Sequence, residues 1–266
     1  MIANARWPLA YAVFFIIFLY APVVLMPVFS LNDSTFATFP LKGFTLRHYV
    51  DMAHNTSMMA ALRNSLMVGL CVAVISTAIA LPAAMALTRY RLPAGGAIQS
   101  TMMLPLIIPS IVMAVAILVI LLRVLGIELS LWTVGAGHVL ICMPFALTVL
   151  MSRLEGFDKS LEEASRDLGE NGWMTFRRVT LPLAMPGVIS SLLLSFIVSF
   201  DEFVLAFFLA GTDPTLPVFL FSQLRFPNKL PGTLALGSLI LLSSAILVVA
   251  AEMLRRRGRA REDSIA

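Results

Sequence analysis

Long apolar runs alternate with short polar stretches along this chain. Runs near residues 8–30, 61–88, 98–122, 131–151, 187–210 and 233–254 are each long enough to cross the hydrocarbon core of a bilayer. Backbone N–H and C=O groups in lipid must be satisfied within the segment, so each run is predicted to be a helix. The pattern predicts an all-α integral membrane protein with six transmembrane helices, residues 1–266 forming a single transmembrane domain. Prolines interrupt several runs, at Pro82, at Pro105 and Pro109, and at Pro144. Each removes a backbone hydrogen bond and kinks its helix unless neighbours compensate. These are either packing kinks or, in "LPLIIPS" at 104–110, a break that lines a cavity. The longest outer polar connection, Asn32 to Ala60, is too short for a binding domain, and no linker, low-complexity segment or repeat of 20 to 50 residues divides the chain.

Composition agrees with the pattern: 59% of the 266 residues are apolar and 13% charged, and the mean hydropathy is +0.91, far from the balance of soluble domains. The first apolar run, from Trp7 to about Leu31, exceeds a secretory signal's core and no Ala-x-Ala site follows, so it is read as a retained span. Of the 19 Lys and Arg residues, 13 fall on the face that carries both termini, including the five between Arg255 and Arg261, and 6 on the other. The positive-inside rule puts that first face in the cytoplasm. Topology therefore accounts for the pI near 9.4 without a nucleic-acid partner. Cys71, Cys142, His48, His54 and His138 show no metal-ligand spacing, no G-x-S-x-G supports a serine hydrolase, and no G-x-x-x-x-G-K-[ST] loop could cradle a nucleotide. No catalytic activity, metal or cofactor is expected of this chain.

The most densely charged stretch is "EEASRDLGENGWMTFRRVTLP", Glu162 to Pro182, between the fourth and fifth runs. "SLEE" has the form of a capping box, with Ser160 as N-cap and Glu163 reaching back. Leu161, Ala164, Ser165 and Leu168 recur at helical spacing on one face, Glu162, Arg166 and Asp167 lie elsewhere, and Gly169 supplies a left-handed stop. "LPLAMP" is expected to bend the chain before a span beginning at Gly187. A free helix this short is marginal in water. Something must hold it, whether other cytoplasmic loops, the lipid interface or a partner protein.

This stretch resembles the EAA signature of the membrane subunits of binding-protein-dependent ABC importers: Glu163, Ala164 and Ser165, then Gly169, then Val179, Leu181 and Pro182 at the family's spacing. Ser165 stands for the second Ala and Val179 for Ile. The resemblance covers roughly residues 60–255 and implies the type I importer fold, with a cytoplasmic coupling loop at 153–186. It further implies that Glu163, Ala164, Ser165, Gly169, Leu181 and Pro182 couple the chain to a separate ATPase subunit, which binds the ATP and Mg. The other implied partners are a second permease, homologous but different, an extracytoplasmic substrate-binding protein and membrane lipid. The implied location is the bacterial inner membrane.

In the fifth run, Asp201 and Glu202 sit adjacent inside "LSFIVSFDEFVLAFF". Intramembrane carboxylates cost several kcal/mol and usually face a bundle interior or a wet cavity. Neighbours on a helix point about 100° apart, so one is expected to face a path and the other a neighbouring helix, unless both are a structural pair. The segment is similar to the smaller permease of spermidine/putrescine transporters, whose substrates are polyammonium ions. Phe200 and Phe203 flank the acids and could offer cation-π faces. Where those permeases carry an acid in the third span, this chain has Ser110 in "PSIVMA", which leaves room for zwitterions such as aminobutyrate or opines. The rival from another class is a self-contained secondary transporter.

Overall fold

The computed structural model describes residues 6–262 except 35 and 37, with side chains described between 7 and 246; the arginines of 255–261 lie outside the described side chains. In chain order the helices are α1 (Arg6–Ser30), α2 (Arg47–Ala53), α3 (Thr56–Arg89), α4 (Gly95–Ile107), α5 (Ser110–Val119), α6 (Leu131–Glu155), α7 (Ser160–Asp167), α8 (Gly172–Thr175), α9 (Leu181–Asp201), α10 (Val204–Leu209), α11 (Leu216–Gln223) and α12 (Leu230–Glu262). Short π-helical turns extend α5 over Ile120–Val124 and join α8 to α9 over Phe176–Thr180. Among the described residues five helices are long and apolar enough to cross a membrane, six if the bent pair α4 and α5 counts as one span.

The residues pack into two compact units, one made of 1–58 with 220–266 and the other of Met59–Phe219. In the first, α1 and α2 each lie against α12. Most of the large side chains of α1 are exposed, as expected of a span that faces lipid. The loop between α1 and α2 is pinned by Asn32, whose Oδ1 accepts the Lys42 N–H at 2.8 Å while its backbone oxygen meets His48 Nε2 at 3.0 Å.

In the second unit the α6–α9 pair has the most extensive contact. Its seam is explained by Gly187, Ser191, Ser195 and Ser199, which recur every fourth residue of α9 and are all buried. Small residues let two backbones approach, and two of the three hydroxyls find partners, one on α6 and the other on α3. Ser199 Oγ meets His138 Nδ1 at 2.9 Å, and Ser191 Oγ meets Thr77 Oγ1 of α3, also at 2.9 Å. Apolar cores flank this seam. One gathers Val72, Met113, Val134, Leu205 and Leu209 from α3, α5, α6 and α10; the other gathers Ala80, Leu147, Leu150, Leu154 and Ala184 from α3, α6 and α9.

Two expectations about the spans are corrected. The "LPLAMP" segment does not bend the chain: Gly172–Asp201 is one helical stretch of 30 residues. The π-turn ends just before Pro182, which falls in the first turn of α9 where a missing N–H is tolerated. The fifth run is not one helix over 187–210, because α9 stops at Asp201 and α10 starts at Val204. Between them Glu202 is extended (φ −68°, ψ 116°), which spares the chain a continuous apolar helix with two adjacent carboxylates. The third run also breaks. At Ile108 and Pro109 the helices α4 and α5 meet at 99°, a break much sharper than a packing kink.

Candidate functional site: a docking helix and a broken span

The first candidate is built around α7. Its first turn is capped by Asp158, whose Oδ1 accepts the Ser160 N–H at 2.9 Å, and that bond holds the Asp158 carboxyl below its usual range. The anticipated capping box is absent. Lys159 already has helical dihedrals, so Ser160 lies one residue inside the helix and Glu163 has no cap to reach. At the other end Gly169 adopts φ +89° and the Glu170 N–H returns to the Ser165 carbonyl at 3.2 Å, the left-handed stop anticipated from the sequence.

The buried side of α7 is the polar one. Glu162 and Ser165 are buried, at 7% and 8% exposure, whereas Leu161 and Leu168 stand at 47% and 86%. The apolar stripe thus points away from the chain, and Glu163 and Ala164 are exposed beside it. Trp173 and Met174 on α8 extend the exposed apolar surface. Beneath it, Glu162 Oε1 accepts from Arg89 Nε at 3.2 Å and from Thr180 Oγ1 at 3.0 Å. Ser165 Oγ meets Thr175 Oγ1 at 3.2 Å. Lys159 Nζ donates to the Thr88 carbonyl at 3.0 Å, and Arg178 pairs with Glu170. Leu181 is partly buried and Pro182 exposed, both in the first turn of α9 rather than on α7. Arg89 and Thr180 were missed in the sequence because their partner Glu162 was placed off the packed face. A buried Glu beside an exposed Leu is not what hydropathy suggests.

The second candidate lies at the break after α9. Asp201 ends α9 and is exposed, while Glu202 is partly buried and its Oε1 accepts the Leu205 N–H at 2.9 Å, capping α10. The two carboxylates are therefore distinguished by the break itself: one is open, the other tied to backbone. Phe200 stacks on Phe196 with ring centroids 5.7 Å apart, and Phe203 pairs with Phe207 at 5.5 Å. Ser110 is partly buried as the first residue of α5, which packs against α10. Ser110 makes no hydrogen bond to either carboxylate among the described residues. A further polar contact lies near the break: His138 is 1% exposed and is bonded to Ser199, three residues before the break.

Residues 76–260 match the family described as "Binding-protein-dependent transport system inner membrane component". The spermidine/putrescine transport system permease protein PotC of Escherichia coli K12 is 34% identical over 90% of this chain and 90% of its own. The putrescine transport system permease protein PotI of the same strain is 31% identical over 90% of this chain and 87% of its own. A chain of a bacterial ABC transporter for the acidic polysaccharide alginate superposes with a TM-score of 0.71 at 18% identity, covering 94% of this chain and 98% of that one. At that identity the likeness speaks for the fold alone, which is the helical fold of ABC importer permeases. The helices and the sequence relatives agree, and the chain belongs to the family of inner membrane components of binding-protein-dependent transport systems.

Proposed function

We propose that this chain is the membrane-spanning subunit of an ATP-driven importer and forms part of the translocation path for putrescine- and spermidine-like polyamines handed over by a binding protein. Power comes from an ATPase dimer docked on α7, and a homologous but different permease completes the path. Both termini lie in the cytoplasm, in keeping with the 13 cationic residues on that face against 6 on the other.

The observation that carries the reading is the outward-facing stripe of Leu161, Ala164 and Leu168 on a helix whose polar side is fastened inward. Such a surface is poorly satisfied by water and suits a groove on another protein. For the solute, the supporting feature is the pair Asp201 and Glu202 at a break in an apolar helix, together with the relatives named for polyamine transport. A carboxylate there offsets a desolvated ammonium. Ser110, in place of an acid in the third span, keeps aminobutyrate-like zwitterions as the second reading.

The test is uptake of radiolabelled putrescine, spermidine and aminobutyrate by the reconstituted transporter, with Asp201→Asn and Glu202→Gln compared with wild type. Gln at 202 keeps an oxygen for the Leu205 N–H, so the cap survives while the charge is lost. Polyamine uptake is expected to fall at least about tenfold in each variant while the complex stays assembled. Equal polyamine uptake by both single variants and the double variant would remove the carboxylates from the path. Uptake of aminobutyrate alone would favour the second reading.

A further inference from the structure

The two spans that reach α7 are joined to it through one buried acid. Arg89 is the last residue of α3, Thr180 ends the π-turn that leads into α9, and both donate to the same oxygen of Glu162. The Arg89 and Glu162 side chains are 7% and 9% exposed. The Arg89 guanidinium lies 4.5 Å over the Phe157 ring, which roofs the pair from the side of α6. Lys159, on the other side of the α7 start, bonds the Thr88 carbonyl one residue before Arg89. A helix of eight residues is thus bound to two long helices at points 73 and 18 residues away in sequence.

We propose that Arg89, Glu162 and Thr180 form the joint through which motion of a docked ATPase is passed to α3 and α9 together, with Arg89 and Thr180 as positioning residues. The inference rests on the reading that α7 is the docking helix. The reason lies in the chemistry of the contact. Surface ion pairs yield easily because water replaces either partner, but a buried pair that loses one partner leaves an uncompensated charge, so it resists separation. A load on the exposed face of α7 then moves α3 and α9 as one piece instead of bending α7 away from them. Glu163, the acid carried by the EAA pattern, is exposed and belongs to the outer contact; Glu162, beside it, faces inward and belongs to the joint. Two adjacent glutamates thereby have separate tasks. The π-turn suits the same task, since π-turns mark places where a helix is adapted for function, and Thr180 is buried at its end.

The test uses the full transporter in proteoliposomes, with putrescine uptake and ATP hydrolysis measured in the same preparation and assembly checked by co-purification of the ATPase. Arg89→Met and Glu162→Gln are expected to keep the ATPase bound and hydrolysing, with solute taken up per ATP reduced about tenfold, the scale seen when a coupling residue is removed. Arg89→Lys, which keeps the charge, is expected to recover most of the ratio. Each single variant should also melt lower. In the double variant Arg89→Met with Glu162→Gln the buried charges disappear together, so the melting temperature is expected to recover while the uptake ratio stays low. Recovery of both in the double variant would reduce the joint to a stability element and overturn the proposal, as would a normal ratio in the single variants or loss of ATPase binding in the double. Failure of wild-type chain to bind the ATPase would instead sink the docking reading. Wild-type coupling to a solute other than putrescine would change only the solute used.

Discussion

At the scale of single residues, two glycines with left-handed backbones separate function from stability. Gly169 ends α7 at φ +89°, and a Cβ added there would meet nothing within 4 Å. The cost of Gly169→Ala is therefore backbone strain alone, about 1 to 2 kcal/mol. The expected result is lower uptake from a misdirected α7, greater loss for Gly169→Val, and a transporter that still assembles. Normal transport by well-expressed Gly169→Val would show that the turn's angle does not matter. Gly211 follows α10 at φ +63°, and there a Cβ would run into the Leu129 backbone carbonyl, which cannot move aside as a side chain can. Gly211→Ala is accordingly expected to lower yield and melting temperature more than Gly169→Ala. Equal melting temperatures for the two variants would contradict the assigned contact. The same contrast holds between the neighbouring acids: Glu202 has a backbone partner and Asp201 is open, so Glu202→Ala is expected to lower stability and Asp201→Ala to leave it near wild type.

At the scale of elements, α7 shows what a pattern of hydrophobic positions can and cannot convey. Its existence, its Gly169 stop and the exposed or packed character of whole faces follow from helical spacing, which depends only on the 100° turn per residue. The direction of the faces does not follow, because the stripe of Leu161, Ala164 and Leu168 could turn inward to a core or outward to a partner. Inward packing was ruled out by residues far away in sequence, Arg89 and Thr180, which claim Glu162. The six apolar runs were legible because length and hydropathy are local quantities. The breaks at Ile108–Pro109 and Glu202–Phe203 were less so, since a proline signals only the first and no residue signals the second until Glu202 is seen capping α10. The outward direction of α7 gives a sharp test. Leu168→Asp puts a charge on its most exposed apolar side chain, and Glu163→Lys puts the wrong sign near the helix N-terminus. Both are expected to weaken co-purification of the ATPase at least about tenfold, as central interface substitutions do, and to leave the melting temperature of the isolated chain unchanged. Undiminished ATPase binding by both would return α7 to the lipid interface.

At the scale of the whole molecule, the question is whether these helices can transport by themselves. A self-contained transporter must couple solute to an ion gradient through titratable or ion-binding groups within its own bundle. In the second unit His138 of α6 is bonded to Ser199 of α9, and Ser191 of α9 to Thr77 of α3. The exposed apolar face of α7 and α8 lies at the start of a helical stretch of 30 residues, Gly172–Asp201. At about 1.5 Å per residue that helix is roughly 45 Å long, enough to carry a displacement at its α8 end to the broken span at the other. The arrangement is that of a lever without a motor. The purified chain in liposomes is therefore expected to pass no putrescine under a proton or sodium gradient, and flux is expected only when the second permease, the ATPase, the binding protein and ATP are all supplied. Gradient-driven putrescine flux by the chain alone, abolished by Asp201→Asn, would make it a secondary transporter and leave the outward face of α7 without a purpose.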